Sequence, residues 1–229
     1  MAATSHSTFT GFPAEGLAFL TTLATKDKSW FDKNRSRYTE AVVEPTKAFV
    51  VEMGRRLAEE ISPDIVAQPR TNGSIAPINN DLRFSPDRPP YKDHLLLKFW
   101  EGADKKQAPT LWVRIGEDDI GFASGAPFPS TRRWQDLIDG EAGAELATIL
   151  ARLARGRALD IAGQHYKNVP KPYGEDHPRA GLLRHKDGLQ ARWPEPTPAA
   201  ISKPSFVDWC MRRLNACTDL HRWFMINLR

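Results

Sequence analysis

Two alternating stretches near the middle of this 229-residue chain constrain its fold more than anything else in it. Residues 94–100 read His-Leu-Leu-Leu-Lys-Phe-Trp. As a strand, with side chains pointing alternately to opposite faces, they put Leu95, Leu97 and Phe99 on one face and His94, Leu96, Lys98 and Trp100 on the other. Residues 110–115 alternate in the same way, with Leu111, Val113 and Ile115 against Trp112 and Arg114. Glu117-Asp118-Asp119 then turns the chain and Ile120-Gly121-Phe122 returns. This is an antiparallel meander with one apolar face and one mixed face.

Helical periodicity flanks the meander on both sides. Leu17, Leu20, Leu23 and Ala24 are spaced for one helical face. Ser29 is the expected cap of a second helix, with Asp32 favouring its positive end. Pro45 either kinks the next helix or opens a new one, and beyond it Phe49, Val50, Met53, Leu57 and Ile61 form an apolar stripe. Asn72-Gly73 signals a turn. Ser130 caps a long helix to about Arg155, interrupted near Gly140 or Gly143. Residues 189–193 fit a late strand. Ser205, with Asp208 three residues on, opens a C-terminal helix carrying Phe206, Trp209, Cys210, Leu214 and Cys217. The order predicts an α+β fold of N-terminal helices, a central antiparallel sheet and C-terminal helices packed on one face of the sheet. A single domain over 1–229 is expected, with 1–8 a flexible tail. The Pro-rich residues 194–204 read as a loop that docks the last helix.

No run approaches the ~20 apolar residues of a membrane span, and residues 1–10 carry no leader-like pattern, so a cytoplasmic protein without a membrane partner is expected. Cys210 and Cys217 sit seven apart in a helical pattern, roughly 10 Å along one helix, too far to bridge, and read as buried thiols. The net charge of +4 is uneven. Residues 152–192 hold nine Lys or Arg against four Asp or Glu, whereas the first 65 residues sum to −1. No Gly-rich phosphate loop, dinucleotide fingerprint or nucleophile elbow appears, so no cofactor is expected. Six histidines show no His-x-His or His-Glu-x-x-His spacing, so no metal is expected either. The sequence specifies no oligomeric state.

Chemistry concentrates in residues 81–94, Asp-Leu-Arg-Phe-Ser-Pro-Asp-Arg-Pro-Pro-Tyr-Lys-Asp-His. Prolines stiffen this segment because each fixes φ and restricts the residue before it. Arg83 suits a carboxylate or phosphate through its planar fork, and Lys92 as a point charge; Tyr91 joins them as a ligand contact. His94 and Asp87 are the candidate acid or base there. Ser85 is a nucleophile only beside a base. Asp81 and Phe84 are assigned to support, Phe84 as an anchor in the core. The competing reading is an internal network in which Asp81 and Asp87 neutralise Arg83 and Lys92. A second cluster holds Lys167, Lys171, Tyr173, His177, Arg179, Arg184 and Lys186. In it Asp176-His177-Pro178 reads as a helix start with Asp176 the cap, His177 as a catalytic candidate, and Arg184 and Lys186 as ligand contacts. A third holds Trp30 and Phe31 as core and Asn34 and Arg35 as site-facing residues.

These three blocks resemble a mainly bacterial family of uncharacterised proteins catalogued as a domain of unknown function. The main segment matches its Asp-x-Arg-Phe-Ser-x-Asp-[Lys/Arg]-x-Pro-Tyr-Lys-x-His pattern. Ser29-Trp30-Phe31 with Asn34, Arg35 and Tyr38 is similar to its N-terminal block. Pro170-Lys171-Pro172-Tyr173, Asp176-His177-Pro178 and Leu183-Arg184-x-Lys186 are similar to its C-terminal block. The resemblance runs from about Phe9 to the end. Asn80 stands where that pattern usually has Arg, and Pro172 where it has Gly. The first removes a charge from any shared anion site, and the second implies a changed loop path. The resemblance implies a grouping and no activity.

Two functions fit these residues. One is a small anionic ligand held in a cleft lined by residues 81–94, with hydrolysis or group transfer as the chemistry. The other is a non-catalytic module that meets nucleic acid or an acidic protein through the mixed sheet face and residues 152–192. The three blocks are expected to meet in space.

Overall fold

The computed structural model describes residues 8–83 and 87–228. In chain order the chain forms α1 (Ala14–Leu23), α2 (Lys28–Lys33), α3 (Arg35–Tyr38), a π-helical stretch (Thr39–Val43) and α4 (Glu44–Glu60). The strands β1 (Ile65–Val66), β2 (Leu95–Glu101), β3 (Thr110–Ile115) and β4 (Asp119–Pro127) follow, then α5 (Thr131–Asp139) and α6 (Glu141–Leu153). The chain ends with β5 (Asp160–Ala162), α7 (Ala180–Leu183), β6 (Gly188–Pro196), α8 (Phe206–Leu214) and α9 (Thr218–Asn227). The fold is α+β, with a six-stranded antiparallel sheet in the order β1-β2-β3-β4-β6-β5. In the antiparallel β5–β6 pair Asp160 faces Arg192, and Arg192 donates to the Asp160 carboxylate at 2.7 Å.

The described residues gather into two compact units. The first comprises Met1–Phe99, Trp112–Gly121 and Glu195–Arg213. Its alternating strands bury the apolar set expected of them: Leu97, Phe99, Val113 and Ile115 are fully enclosed. Asp27, not Ser29, caps α2, its carboxylate accepting from Trp30 N–H at 2.8 Å. Asp27 lies in extended backbone three residues before that donor, the geometry a cap needs, and Ser29 falls inside the first turn. Pro45 opens α4 within its first turn, after the π stretch. Proline has no N–H for the carbonyl of Ala41, four residues back, and its ring would crowd that carbonyl. The wider π turn relieves the crowding. The Ala41 oxygen instead lies against α1 at Gly16, where a β-carbon would approach it to 2.2 Å. Phe49 of α4 meets Phe9, Phe12 and Phe206 at ring centroids of 5.1–5.4 Å, so the stripe on α4 anchors α8 as well. The turn at residues 72–73 forms with Asn72 at φ 62°, a conformation asparagine tolerates.

The second unit comprises Trp100–Leu111, Phe122–Pro194 and Leu214–Arg229. Ser130 caps α5 by accepting from Arg133 N–H at 3.2 Å. The expected interruption falls at Gly140, whose extended backbone separates α5 from α6. Gly143 makes the sharp corner feasible, since a β-carbon there would lie 2.0 Å from the Ile138 oxygen. Trp134 stacks on Phe128 at 3.8 Å and meets Trp223 edge-on at 6.1 Å. Both buried indoles find acceptors: Trp134 donates to Leu182 O at 2.8 Å and Trp223 to Ala142 O at 3.0 Å. The C-terminal helix expected through Cys217 ends instead at Leu214, and a 3-10 turn at Asn215–Cys217 leads into α9. Cys210 and Cys217 are both free and buried. Burial pushes the Cys217 thiol up to about 12, which makes it inert as a nucleophile.

Glu101 and His221 form a buried pair, the carboxylate 2.9 Å from His221 Nε2, with side chains 8% and 1% exposed. Removing one partner strands the other away from water. Glu101→Ala should therefore cost ~3–5 kcal/mol of stability, read from the midpoint shift in urea unfolding.

Candidate functional site

The 81–94 segment hangs from a narrow neck. Asn79 bridges Tyr91, Asn80 N–H donates to Pro90 O at 2.9 Å, and Lys92 N–H donates to Ile78 O at 2.9 Å. Proline offers a carbonyl and no donor, so side chains complete the pairing. The Asn80 amide donates to Pro89 O at 2.8 Å and to Tyr91 O at 3.2 Å. Lys92 Nζ donates to Pro77 O at 2.6 Å and Asn79 O at 2.5 Å. Lys92 was expected to face a ligand, yet its ammonium holds the neck. Burial, and after it the nearby Lys98 ammonium, push its pKa down. Asn80, where the resemblance expects Arg, fits the neck because a short amide reaches two carbonyls at once.

At the tip, Arg83 forms a bidentate pair with Asp81, Nε to Oδ1 at 3.0 Å and Nη2 to Oδ2 at 2.7 Å. The Arg83 backbone N–H also reaches Asp81 Oδ1 at 3.1 Å, so one carboxylate turns the chain and holds the guanidinium. Both side chains are largely exposed. Asp87 and Arg88 are exposed. Phe84 and Ser85 lie outside the described residues.

Tyr91 ties this segment to the N-terminal block. It is buried, and its ring meets Phe31 at 5.1 Å. Phe31 also meets Tyr38 at 5.2 Å, and the Arg35 guanidinium lies 5.1 Å from the Phe31 ring while pairing with Asp32. Trp30 is half-buried against Phe19 at 5.4 Å. The Asn34 amide caps its own helix by donating to Trp30 O at 2.8 Å. The structure thus joins the first two blocks through aromatic rings, with Asn34 and Arg35 in local roles.

Beside Tyr91 lies a second polar group, most of it not singled out from sequence. Asp93 Oδ1 stands 2.6 Å from His94 Nδ1. The His94 hydrogen bond, and then burial acting against it, set the Asp93 carboxyl, with the net effect downward. Arg114 of β3 lies 3.9 Å from Asp93 and 2.6 Å from Asp119. Gly121 of β4 leaves room for the Arg114 stem, since a β-carbon there would sit 3.3 Å from Arg114 Cβ. Lys98 of β2 and Arg114 of β3 hold alternating positions on adjacent strands, and His94 immediately precedes β2. Their shared face is the mixed face that strand alternation predicts for the meander.

The third block belongs to the second unit. His177 Nδ1 accepts from Arg179 N–H at 3.1 Å, so the proton sits on Nε2, which faces Asp139 Oδ1 at 3.2 Å. Both ring nitrogens are engaged. Arg179 donates to Ile138 O and Asp139 O, each at 2.6 Å, and so caps the C-terminus of α5. Helix α7 begins at Ala180, after Arg179, and Asp176 is exposed rather than capping it. Glu175 accepts from Val169 N–H at 2.9 Å and pairs with Arg184. The Lys186 ammonium lies 5.1 Å from the Tyr166 ring. The Lys171–Pro172 peptide is cis. His165 and His185 face each other across a short antiparallel bridge, with burial pushing His185 down to about 4. Among the described residues no group of three or more His, Cys, Asp or Glu is arranged to hold a metal ion.

Arg83 and Lys92 should therefore part company on mutation. Lys92→Met removes a donor shared by two neck carbonyls and should cost ~1–3 kcal/mol. Arg83→Ala should leave the thermal midpoint where it is, because its pair with Asp81 is exposed. Parallel thermal melts of the two variants check this.

No curated protein matches the chain with significance. A family model described as a conserved hypothetical protein matches residues 15–223, which is most of the chain. The chain therefore belongs to the conserved hypothetical protein family DUF2461.

Proposed function

We propose that this protein binds a small anionic ligand, bearing phosphate or carboxylate, at the 91–98 end of the motif. His94 is its acid or base in a hydrolysis or group transfer. The observation that carries this reading is the 2.6 Å contact between Asp93 and His94 Nδ1. A carboxylate there holds the proton on Nδ1 and leaves the Nε2 lone pair to act, the arrangement by which an acid orients a catalytic imidazole. The His94 side chain is 23% exposed, enough for a substrate to reach it. Lys98 and Arg114 supply positive charge on the same face, and an anion would relieve the mutual disfavour of Lys92 and Lys98. Arg83, Lys92, Arg184, Lys186 and His177 each have an internal partner, as Arg114 has in Asp119, so an anion would share these cations with the groups that already hold them. We infer a bacterial, cytoplasmic setting for this activity.

A non-catalytic nucleic-acid module is the weaker reading. Of the nine cations in residues 152–192, six already meet an acid, a carbonyl or a ring: Arg152, Arg157, Arg179, Arg184, Lys186 and Arg192. Backbone phosphates would compete with those partners.

The test is thermal unfolding in inorganic phosphate against sodium chloride of equal ionic strength. Wild type should gain several degrees in phosphate, and His94→Gln should lose most of that gain. An equal gain in both would place the anion elsewhere. Steep weakening of binding with added chloride would favour the nucleic-acid reading, because counterion release grows with each phosphate contact.

A further inference from the structure

We propose that the outer face of α6 and α9, in the second unit, takes a second copy of this chain, packed antiparallel across a two-fold axis at Thr148. Ile226 of α9 is 78% exposed, whereas its neighbours Trp223 and Phe224 are buried. It lines a groove of about 650 Å³, with Glu145, Thr148 and Arg152 of α6 on one wall and Arg222 of α9 on the other. The walls are tied together, because Trp223 donates to Ala142 O at 3.0 Å and Arg152 pairs with Asp219. A projecting apolar side chain and a groove on one face suit an isologous contact, in which the same surface serves both copies.

Charge chooses the occupant. Glu141, Glu145, Thr148 and Arg152 recur at the spacing of one helix face, and Arg155 follows in the turn that ends α6. Glu141 and Arg155 lie seven residues to either side of Thr148, and Glu145 and Arg152 lie three and four residues from it. A second α6 running antiparallel through Thr148 therefore sets acid against base at both ends, whereas a parallel copy would set like against like. Among the described residues Glu141, Glu145, Arg155 and Arg222 make no ion pair within the chain. Two ordinary explanations cover part of this face. A single exposed isoleucine is common on a monomer, and acids early with bases late suit a helix's own dipole. The dipole acts within the first and last turns, and Glu145 and Arg222 lie beyond the first turns of their helices. Their charges stand unmet beside the exposed Ile226. Exposed ion pairs each contribute little, so the charges fix orientation and burial of Ile226 supplies the attraction. A face of two short helices is small, which makes the dimer weak, with Kd on the order of tens of micromolar.

Sedimentation velocity of the full chain, over a concentration series reaching about tenfold above that Kd, tests this. Wild type should pass from monomer to dimer, and less readily in high salt, which screens the exposed charges. Ile226→Asp, at an exposed position, should weaken association at least tenfold, with circular dichroism checking that it stays folded. Glu141→Arg and Arg155→Glu should each weaken it alone, since each sets like charges face to face. A one-to-one mixture of those two variants should restore it, because the mixed pair again opposes acid and base. That rescue separates a two-fold contact from a general loss of fold. A wild type that stays monomeric throughout leaves the groove to a peptide or another protein and overturns the proposal. So does association unchanged by Ile226→Asp, or a mixture that associates no better than its components.

Discussion

Burial of Leu95, Leu97 and Phe99 is the constraint on which the candidate site depends. Strand side chains alternate, so once those three are enclosed, His94 and Lys98 must stand together on the opposite face. The same logic on β3 encloses Val113 and Ile115 and turns Arg114 outward. A one-residue slip of β2 would bury His94 and Lys98 and break the group apart. The polar constellation is thus a consequence of core packing, and its rigidity is that of the sheet, not of a loop.

The proline segment solves a different problem. Pro77, Pro89 and Pro90 give the neck carbonyls that accept, and no N–H to pair them. Unmet carbonyls at a partly buried neck would be costly. Asn80 and Lys92 supply the missing donors from side chains. This explains why a lysine that looks like an anion contact is structural, and why an amide serves at position 80. Polar residue types in a stiff segment divide between those that close the segment and those that face outward. Only geometry separates the two.

The periodic parts of the fold were legible in the sequence. The strand faces, the α4 stripe, the Ser130 cap and the Gly140 break all follow from side-chain period and local backbone preference. Errors arose where two local solutions competed. Asp27 outdid Ser29 because both are good caps and only tertiary contacts choose the register of α2. At Asp176 the cap-and-proline signature is present, yet Gly174 and Glu175 form a turn and a clasp that delay α7 to Ala180. The break after Leu214 carries no proline or glycine to announce it. Site residues split along the same line. His94 and Tyr91 lay within the motif, whereas Arg114, Asp119 and His185 reach their partners through strand pairing at distances of 5 to 20 residues or more, which sequence spacing alone does not reveal.

Comparison of the three histidines shows how hydrogen-bond bookkeeping assigns roles that residue type does not. His177 accepts on Nδ1 and faces a carboxylate through Nε2, so it braces the turn after α5. His221 sits against Glu101 in the core, so it serves packing and pairing there. His94 has Asp93 on Nδ1, and its side chain is partly exposed. An imidazole acts on a substrate only through a nitrogen that the protein has not already occupied, and that nitrogen must be reachable. By this criterion His94 is the stronger of the two histidines suggested by the motifs. The difference between it and His177 comes from a single backbone N–H, that of Arg179, aimed at one ring nitrogen.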